Sequence, residues 1–230
     1  MSKHSPKTEH TGKIPHFHHQ GATFFITTHL HGSVPFDLLK KLRFERDEEI
    51  ANLKKTSLQS HDLKNAIYMV RRKYFYQYDE LLDACETSPT WLRLPEVATI
   101  VERKIHKYDG QYYNLIAFTI MPNHIHLVLD FSVQTPVKDM DTYINVSKVM
   151  NFIKGGSAYE VNKLLQLDKP FWQNSYHDRY IRNFHHYLGA VNYTINNIVK
   201  AKLYKHWIDH EFTWVCENFQ KKQLIYPTLW

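Results

Sequence analysis

Cysteine is nearly absent from this sequence, which has two, Cys85 and Cys216, among its 230 residues. A small secreted scaffold needs several cysteines at regular spacing, so a disulfide-stabilised fold is excluded. A zinc site built from paired cysteines is excluded for the same reason. Two cysteines so far apart are typical of a protein in a reducing compartment, and we expect a cytoplasmic location.

Long apolar runs are also lacking. No stretch of about 18 apolar residues occurs, so the sequence predicts no membrane span. The N-terminal residues are polar and lack the apolar segment of a signal peptide, so the sequence predicts no secretion signal. Hydrophobic residues make up 43% of the chain, which is enough for the core of one domain with insertions.

Positive charge exceeds negative charge, with 29 Lys and Arg against 23 Asp and Glu and a formal net charge of +6. Aromatic residues make up 14% of the chain. A basic chain rich in aromatics favours a polyanionic partner, and nucleic acid is the commonest one. The alternative is an ordinary basic soluble protein without a polyanionic partner.

The most informative stretch is 121–130, in which His124 and His126 alternate with apolar residues. Side chains at i and i+2 share one face of a β-strand, so the two imidazoles should lie together, opposite Ile125 and Leu127. Two neighbouring imidazoles can form half of a divalent metal site. The alternative is a hydrogen-bonded pair without metal, and a metal site needs a third ligand from elsewhere in the chain.

This stretch is predicted to be one arm of a hairpin over residues 111–131, with Met-Pro-Asn as its turn. A first strand is predicted over 21–28, because aromatic and β-branched residues are dense there. His29 and His31 are a second i, i+2 pair, for which a polar strand end is favoured over a second ligand pair.

Helical spacing of apolar residues predicts several helices. They cover 35–55, 64–85, a segment from about 95 to 105, 142–154, a segment from 157 to 167, and 183 to about 203. The Lys154-Gly155-Gly156-Ser157 run is predicted to end one helix and cap the next. A turn of this kind beside a lysine can also hold a phosphate on backbone amides.

The helix predicted from Asn183 onward has two distinct faces. Its aliphatic stripe consists of Leu188, Val191, Ile195 and Ile198. Tyr193, Asn197 and Lys200 are predicted on the opposite face. Tyr193 and Asn197 are four residues apart, so their side chains should be neighbours.

Four blocks of this sequence resemble the REP-associated tyrosine transposases and the wider group of single-tyrosine HUH transposases, named for a His-hydrophobic-His motif. The blocks are 21–27, 117–128, 153–158, and 171–182 followed by 193–201. The Pro-Asn-His-Ile-His run in the second block is the most specific of them. The resemblance covers roughly residues 20–32 and 93–203.

The resemblance implies an α/β (α+β) fold of the ferredoxin-like or RRM-like kind, with an antiparallel sheet of about four or five strands and helices on its faces. Residues 20–203 would form the catalytic domain, with a helical insertion at about 36–90. Residues 1–19 are polar and are predicted to be a flexible tail. Residues 204–230 are predicted to be an extension that packs back onto the core.

The resemblance also implies a reaction, the nicking and strand transfer of single-stranded or hairpin DNA. Tyr193 would be the nucleophile and would form a 5′-phosphotyrosine with a free 3′-OH. His124, His126 and Asn197 would hold a divalent ion, Mg²⁺ or Mn²⁺. The chain has Asn197-Ile198 where the family commonly has Asn-Pro, and this departure leaves Asn196 as an alternative ligand.

Further residues of the matched blocks are candidates for supporting roles. Lys154, Arg182 and Lys200 are candidates for contact with the DNA backbone. Gln173 and Asp178 are candidates for support of the site, with a purely structural hydrogen-bond network as the alternative. Nearby tyrosines compete with Tyr193 for the nucleophilic role; they are Tyr176, Tyr180 and Tyr187.

Two other functions remain open at this stage. One is a hairpin-DNA-binding protein with little or no cleavage, and the other is a metal-dependent hydrolase that forms no covalent intermediate. The family resemblance also implies that the chain could act as a homodimer.

Overall fold

The computed structural model describes residues 7–11, 15–84, 88–136 and 142–219. The chain divides into two compact units. The larger contains the residues up to His31 and those from Thr90 onward, and the smaller contains Gly32–Pro89.

The larger unit is built on a five-stranded antiparallel sheet. The strands in chain order are β1 (Lys7–Thr11), β2 (Pro15–His19), β3 (Thr23–His29), β4 (Asn114–Ile120), β5 (His124–Asp130), β6 (His177–Tyr180) and β7 (Thr213–Val215). The five-stranded sheet has the spatial order β6-β3-β5-β4-β7, and its neighbouring strands are antiparallel. The predicted antiparallel sheet of four to five strands with flanking helices is therefore confirmed.

Strands β1 and β2 form a separate antiparallel pair. The described residues of the segment 1–19, for which a flexible tail is predicted, form these two strands and so have regular backbone structure. Its polar composition indicated too little apolar surface for order, but backbone pairing satisfies the N–H and C=O groups whatever the side chains are. The His19 and Tyr180 rings, 4.8 Å apart, connect β2 to the edge strand β6. Residues 1–6 and 12–14 of the predicted tail lie outside the described part.

Strand β5 is the central strand of the sheet, and both of its faces are buried. On one side it pairs with β3, and this register sets His29 opposite His124 and Thr27 opposite His126. On the other side it pairs with β4, where the register shifts between Leu115 and Ala117. The side chains of Ile125, Leu127 and Leu129 enter the main hydrophobic core.

Three helices flank this sheet, α3 (Pro95–His106), α4 (Val146–Leu165) and α5 (Phe184–Lys200). Residues of α3 and α4, such as Val101 and Met150, belong to the same core as Leu127, so these two helices cover one face. Helix α5 covers the opposite face, since its Tyr193 ring contacts His126. The helices thus divide the two faces of β5 between them.

The prediction of a break at Lys154-Gly155-Gly156-Ser157 is wrong, because α4 is one continuous helix through these residues. The Ser157 hydroxyl donates to the Ile153 carbonyl at 2.7 Å, one turn earlier, instead of capping a new helix. A Cβ atom on Gly156 would lie 3.4 Å from the Lys104 side chain, so this glycine admits close packing of α3. The helix ends instead at Gln166, which adopts left-handed geometry with φ 52°.

The smaller unit is a pair of helices, α1 (Phe36–Lys54) and α2 (Ser60–Ala84). Two clusters of buried side chains join the helices, one of them made by Leu39, Tyr78 and Leu82 with Val34. The second cluster contains Ile50, Val70 and Tyr74. Among the helices that the structure describes, none has both the length and the apolar character of a membrane span.

The chain after α5 returns to the sheet as the edge strand β7, which pairs with β4. The Trp214 ring stacks on Phe118 with centroids 6.2 Å apart, and Phe219 is buried. Residues 220–230 of the predicted C-terminal extension lie outside the described part.

Candidate functional site

Strand β5 places two of the predicted metal ligands side by side. His124 and His126 are 1% and 0% exposed. Their ring centroids are 4.8 Å apart, and their Nε2 atoms are 3.1 Å apart. The two imidazoles therefore share one face of β5, opposite the apolar side chains of Ile125 and Leu127.

Each imidazole is oriented by a hydrogen bond at its Nδ1 atom. The Nδ1 of His124 lies 2.7 Å from the side-chain oxygen of Asn123, which can only accept. The Nδ1 of His126 lies 2.8 Å from the hydroxyl of Thr27, its pairing partner on the adjacent strand β3. When both Nδ1 atoms carry the proton, the Nε2 lone pairs are directed at each other.

The turn between β4 and β5 is held by the chain on both sides. The carbonyl of Asn123 accepts from the Leu30 N–H at 2.8 Å, and that of Pro122 accepts from the Leu92 N–H at 3.2 Å. The Met121 N–H donates to the His124 carbonyl at 2.8 Å and closes the turn. The start of the His124–His126 stretch is thus fixed by contacts that involve no metal.

The spacing of the two Nε2 atoms suits a shared metal ion. Two nitrogens about 2.1 Å from one ion are 3.1 Å apart when the angle between them is about 95°. Two lone pairs at this separation repel each other unless a proton or a cation lies between them. His124 and His126 can therefore bind a divalent metal ion.

Helix α5 brings Tyr193 against this pair. Its ring is half-buried and meets the His126 ring edge-on, with centroids 5.6 Å apart. It also meets Phe25 edge-on at 5.8 Å. The ammonium nitrogen of Lys200 lies 5.4 Å from the centroid of the Tyr193 ring. The predicted nucleophile and one predicted DNA contact therefore lie beside the His124–His126 pair.

The three competing tyrosines have other surroundings. The Tyr176 hydroxyl pairs with Ser147 on α4 at 2.9 Å, and burial raises the pKa of Tyr176. Tyr180 lies opposite Phe24, which belongs to the core on the other face of the sheet. Burial likewise raises the pKa of Tyr187, whose ring packs on Phe184. A buried phenol that resists ionisation is a poor nucleophile, so these surroundings favour Tyr193.

Asn197 and Asn196 are separated by burial. Asn197 is 1% exposed, whereas Asn196 is exposed and its amide donates to the Asn192 carbonyl at 3.1 Å. Asn197 is buried on α5 although it is polar, so the polar face predicted for this helix is itself partly packed against the protein. Apolar spacing alone misses polar residues on a buried face.

Lys154 was a candidate for contact with DNA, but its ammonium group is directed inward. It donates to the carbonyls of Gln173, Asn174 and Ser175 at 2.6, 2.9 and 3.3 Å. Burial lowers the pKa of Lys154 to about 8. An ammonium group has three donors, so these contacts leave none for a phosphate. Lys154 thus fixes the segment before β6 instead.

The segment that Lys154 fixes also places Gln173. Its N–H donates to the His29 carbonyl at 3.0 Å. Trp172 packs in the apolar core, and its indole N–H donates to Ser157 at 2.9 Å. Since successive side chains alternate between faces, Gln173 is set on the face that carries His29 and His124. His29 is buried there, whereas His31 is exposed.

The register of β6 separates Asp178 from Arg179. Asp178 pairs with Ile26, a core residue on the face away from the two histidines, so the structure does not bring Asp178 to the site. Arg179 pairs with Phe25 on the histidine face. Arg182 is exposed beyond the end of β6. Sequence reasoning missed Arg179, although period-two alternation from Trp172 would have found it.

This chain is similar to a known protein family and to solved structures. The model of the family described as "Transposase IS200 like" matches residues 93–197, a segment that contains His124, His126 and Tyr193. One similar solved structure is described as "Structure of the REP associates tyrosine transposase bound to a REP hairpin". It is 17% identical, with a TM-score of 0.49, and the match covers 96% of this chain and 91% of that one. No curated protein matches the chain significantly. The resemblance to single-tyrosine transposases that the motifs predict is thus confirmed over residues 93–197, the segment in which this chain is similar to the IS200-like transposases.

Proposed function

We propose that this chain is a DNA strand-transfer enzyme in which Tyr193 attacks a phosphodiester bond of single-stranded or hairpin DNA. The observation that carries the proposal is the edge-on contact of Tyr193 with His126, whose Nε2 atom lies 3.1 Å from that of His124. A nucleophile and a metal half-site within one ring contact are the two parts that this chemistry needs.

His124, His126 and the buried amide of Asn197 would hold the metal ion. An amide oxygen suits a hard ion such as Mg²⁺ or Mn²⁺. With three protein ligands, such an ion would have coordination positions left for water and phosphate oxygens. When bound, the ion polarises the scissile phosphate and stabilises the departing 3′ oxygen. Asn123 and Thr27 support the site by fixing the two imidazole rings.

The phenol oxygen of Tyr193 forms the new bond to phosphorus while the bond from phosphorus to the 3′ oxygen breaks. The phenolic proton passes to solvent, and the departing 3′ oxygen takes up a proton to become a hydroxyl. Lys200, over the Tyr193 ring, places positive charge where the phosphate approaches. The 5′-phosphotyrosine keeps the energy of the phosphodiester, so a 3′-OH from another strand can displace Tyr193 and rejoin DNA without ATP.

The partner is proposed from charge and from the family match. The formal net charge of +6 favours a polyanion, and the IS200-like transposase match favours DNA. Lys200 and the exposed Arg182 are the proposed contacts with its backbone, and Gln173 is proposed to support the site from the neighbouring strand end.

The test is a covalent-adduct assay on denaturing gels. The protein is mixed with Mg²⁺ or Mn²⁺ and labelled single-stranded DNA that carries the hairpins flanking its own gene. We expect a shifted, protease-sensitive band that is lost with chelator and in Tyr193→Phe. Tyr180→Phe, on the other face of the sheet, is the matched control and should keep the band.

The outcomes separate the competing functions. DNA that is bound but never attached, across metals and substrates, would indicate a hairpin-DNA-binding protein. If DNA is cleaved without any covalent band, and Tyr193→Phe still cleaves it, the protein would be a hydrolase. A band that persists in Tyr193→Phe would show that another residue is the nucleophile.

A further inference from the structure

The edge strand β6 carries two basic side chains on the face of the sheet that bears the His124–His126 pair. In its register with β3, His177 pairs with Thr27 and Arg179 pairs with Phe25. Thr27 in turn pairs with His126 across β3 and β5. Paired residues of antiparallel strands project to the same face, so His177 and Arg179 share the face of His126.

The guanidinium group of Arg179 is connected to the tyrosine site through a single aromatic ring. It lies 5.4 Å from the centroid of the Phe25 ring. That ring stacks on His126 at 5.5 Å and meets Tyr193 edge-on at 5.8 Å. A permanent positive charge therefore lies one ring away from both groups that the proposed chemistry uses.

We propose that Arg179 binds a phosphate of the DNA strand next to the phosphate that Tyr193 attacks, with His177 beside it on the same strand. This inference rests on the function proposed above and adds a binding site to it. The ligand is a backbone phosphodiester, recognised by charge and by the planar guanidinium fork.

The width of the sheet determines which phosphate this is. Strand β6 is two strand positions from β5, a separation of roughly 10 Å. The Phe25 ring on the intervening strand β3 contacts both the Arg179 guanidinium and His126. This ring separates the guanidinium from a phosphate held at His124 and His126. A neighbouring phosphate of a strand that crosses the sheet from β5 towards β6 lies closer to it.

The contact with Phe25 suits this role. A guanidinium over an aromatic ring uses its face, while its N–H donors lie in its plane and can meet two phosphate oxygens. Phe25 also fixes the direction of the Arg179 side chain, so less conformational freedom is lost when DNA binds. Arg179 is thus a DNA-positioning residue, separate from the nucleophile and from the metal ligands.

The experiment removes one phosphate charge at a time. Cleavable single-stranded DNA is made with a methylphosphonate at each position flanking the scissile bond, and the rate of covalent adduct formation is measured at subsaturating DNA. We expect one flanking substitution to slow the wild-type protein roughly 10- to 100-fold, as for the loss of a charged hydrogen bond. On unmodified DNA, Arg179→Ala should form the adduct about 10- to 100-fold more slowly than wild type. The methylphosphonate that slows the wild-type protein should not slow Arg179→Ala any further.

Two variants serve as controls. Arg179→Lys keeps the charge without the fork and should recover part of the rate. Arg103→Gln removes an exposed arginine from α3, on the other face of the sheet, and should behave as wild type. The melting temperature of each variant is measured in parallel.

Three results would overturn the inference. If Arg179→Ala still loses rate at the same flanking phosphate, another group binds that phosphate. If it loses rate equally on every substrate and melts at a lower temperature, Arg179 only covers Phe25. If the wild-type protein forms no adduct at all, the proposed function fails first and this inference fails with it.

Discussion

The two faces of the five-stranded sheet come from the same strands but differ in chemistry. Under α3 and α4, β5 presents Ile125, Leu127 and Leu129 to an apolar core. Under α5, the same strand presents His124 and His126, both of them buried and hydrogen-bonded. One strand thus stabilises the fold with every second residue and carries the candidate site with the others.

The apolar face of β5 contributes to the placement of the two histidines on the other face. The apolar face fixes the position of β5, and any slip of its register by one residue would exchange the two faces. The histidine spacing is therefore maintained by packing on the far side of the sheet. Substitutions on the two faces should have separable effects, on metal binding and reaction for one and on folding for the other.

The largest effect is expected from His126→Ala on the polar face. Loss of one of the two proposed imidazole ligands should lower metal affinity by more than the 10- to 100-fold typical of an outer-shell residue and should abolish adduct formation. Titration calorimetry with Mn²⁺ measures the affinity. Unchanged Mn²⁺ binding in this variant would show that the ion binds elsewhere.

The substitution Leu127→Ala, one residue further along β5, should lower stability and leave the reaction nearly unchanged. It leaves a cavity in the core and should lower the free energy of unfolding by about 2–5 kcal/mol. Adduct formation per folded molecule, measured at low temperature, should be nearly retained. Urea unfolding followed by circular dichroism measures the loss, and a variant as stable as wild type would contradict the assignment of this face to folding.

Lys154→Met should have an intermediate effect. It should lower the free energy of unfolding by about 2 kcal/mol, because three carbonyls lose a charged donor. The pH dependence provides a second measurement. Burial lowers the pKa of Lys154 to about 8 in the folded protein, below the ordinary lysine value of 10.5. Between these two pH values the side chain is protonated in the unfolded chain and largely neutral in the folded one. The free energy of unfolding of wild type should therefore rise with pH in that window, relative to Lys154→Met. Parallel pH profiles of the two proteins would argue against the lowered pKa.

The smallest effect is expected from the paired amides of α5. Asn197→Ala should weaken Mn²⁺ binding by about tenfold, through the loss of one proposed neutral ligand. Asn196→Ala, exposed one residue earlier, is the matched control and should bind Mn²⁺ as wild type does. The reverse result would make Asn196 the ligand.

Much of the fold and part of the site were predictable from alternation and spacing. The apolar and histidine faces of β5 follow from period two, and the family motif singles out Tyr193 for the position beside His126 where the structure places it. The metal role of His124 and His126 and the nucleophilic role of Tyr193 stay predictions.

The remainder depends on contacts that are distant in sequence. Ser157 signals a helix cap in the sequence, but within α4 it bonds backward to Ile153 and receives the Trp172 indole N–H. Lys154 signals a solvated cation, yet three carbonyls about twenty residues later draw it inward. The local pattern of residue types contains neither contact. Alternation from Trp172, by contrast, separates Arg179 from Asp178 in the same way as the register of β6.

The anchored turn at Pro122 and Asn123 has a consequence for the order of assembly. Many small metal sites exist only after the ion has folded the chain around itself, and chelators denature them. Here Leu30 and Leu92 hold the turn through backbone hydrogen bonds, and Asn123 orients the first imidazole. The turn is therefore held by contacts that need no metal ion. The ion proposed for His124 and His126 would then be an exchangeable ligand of a preformed site.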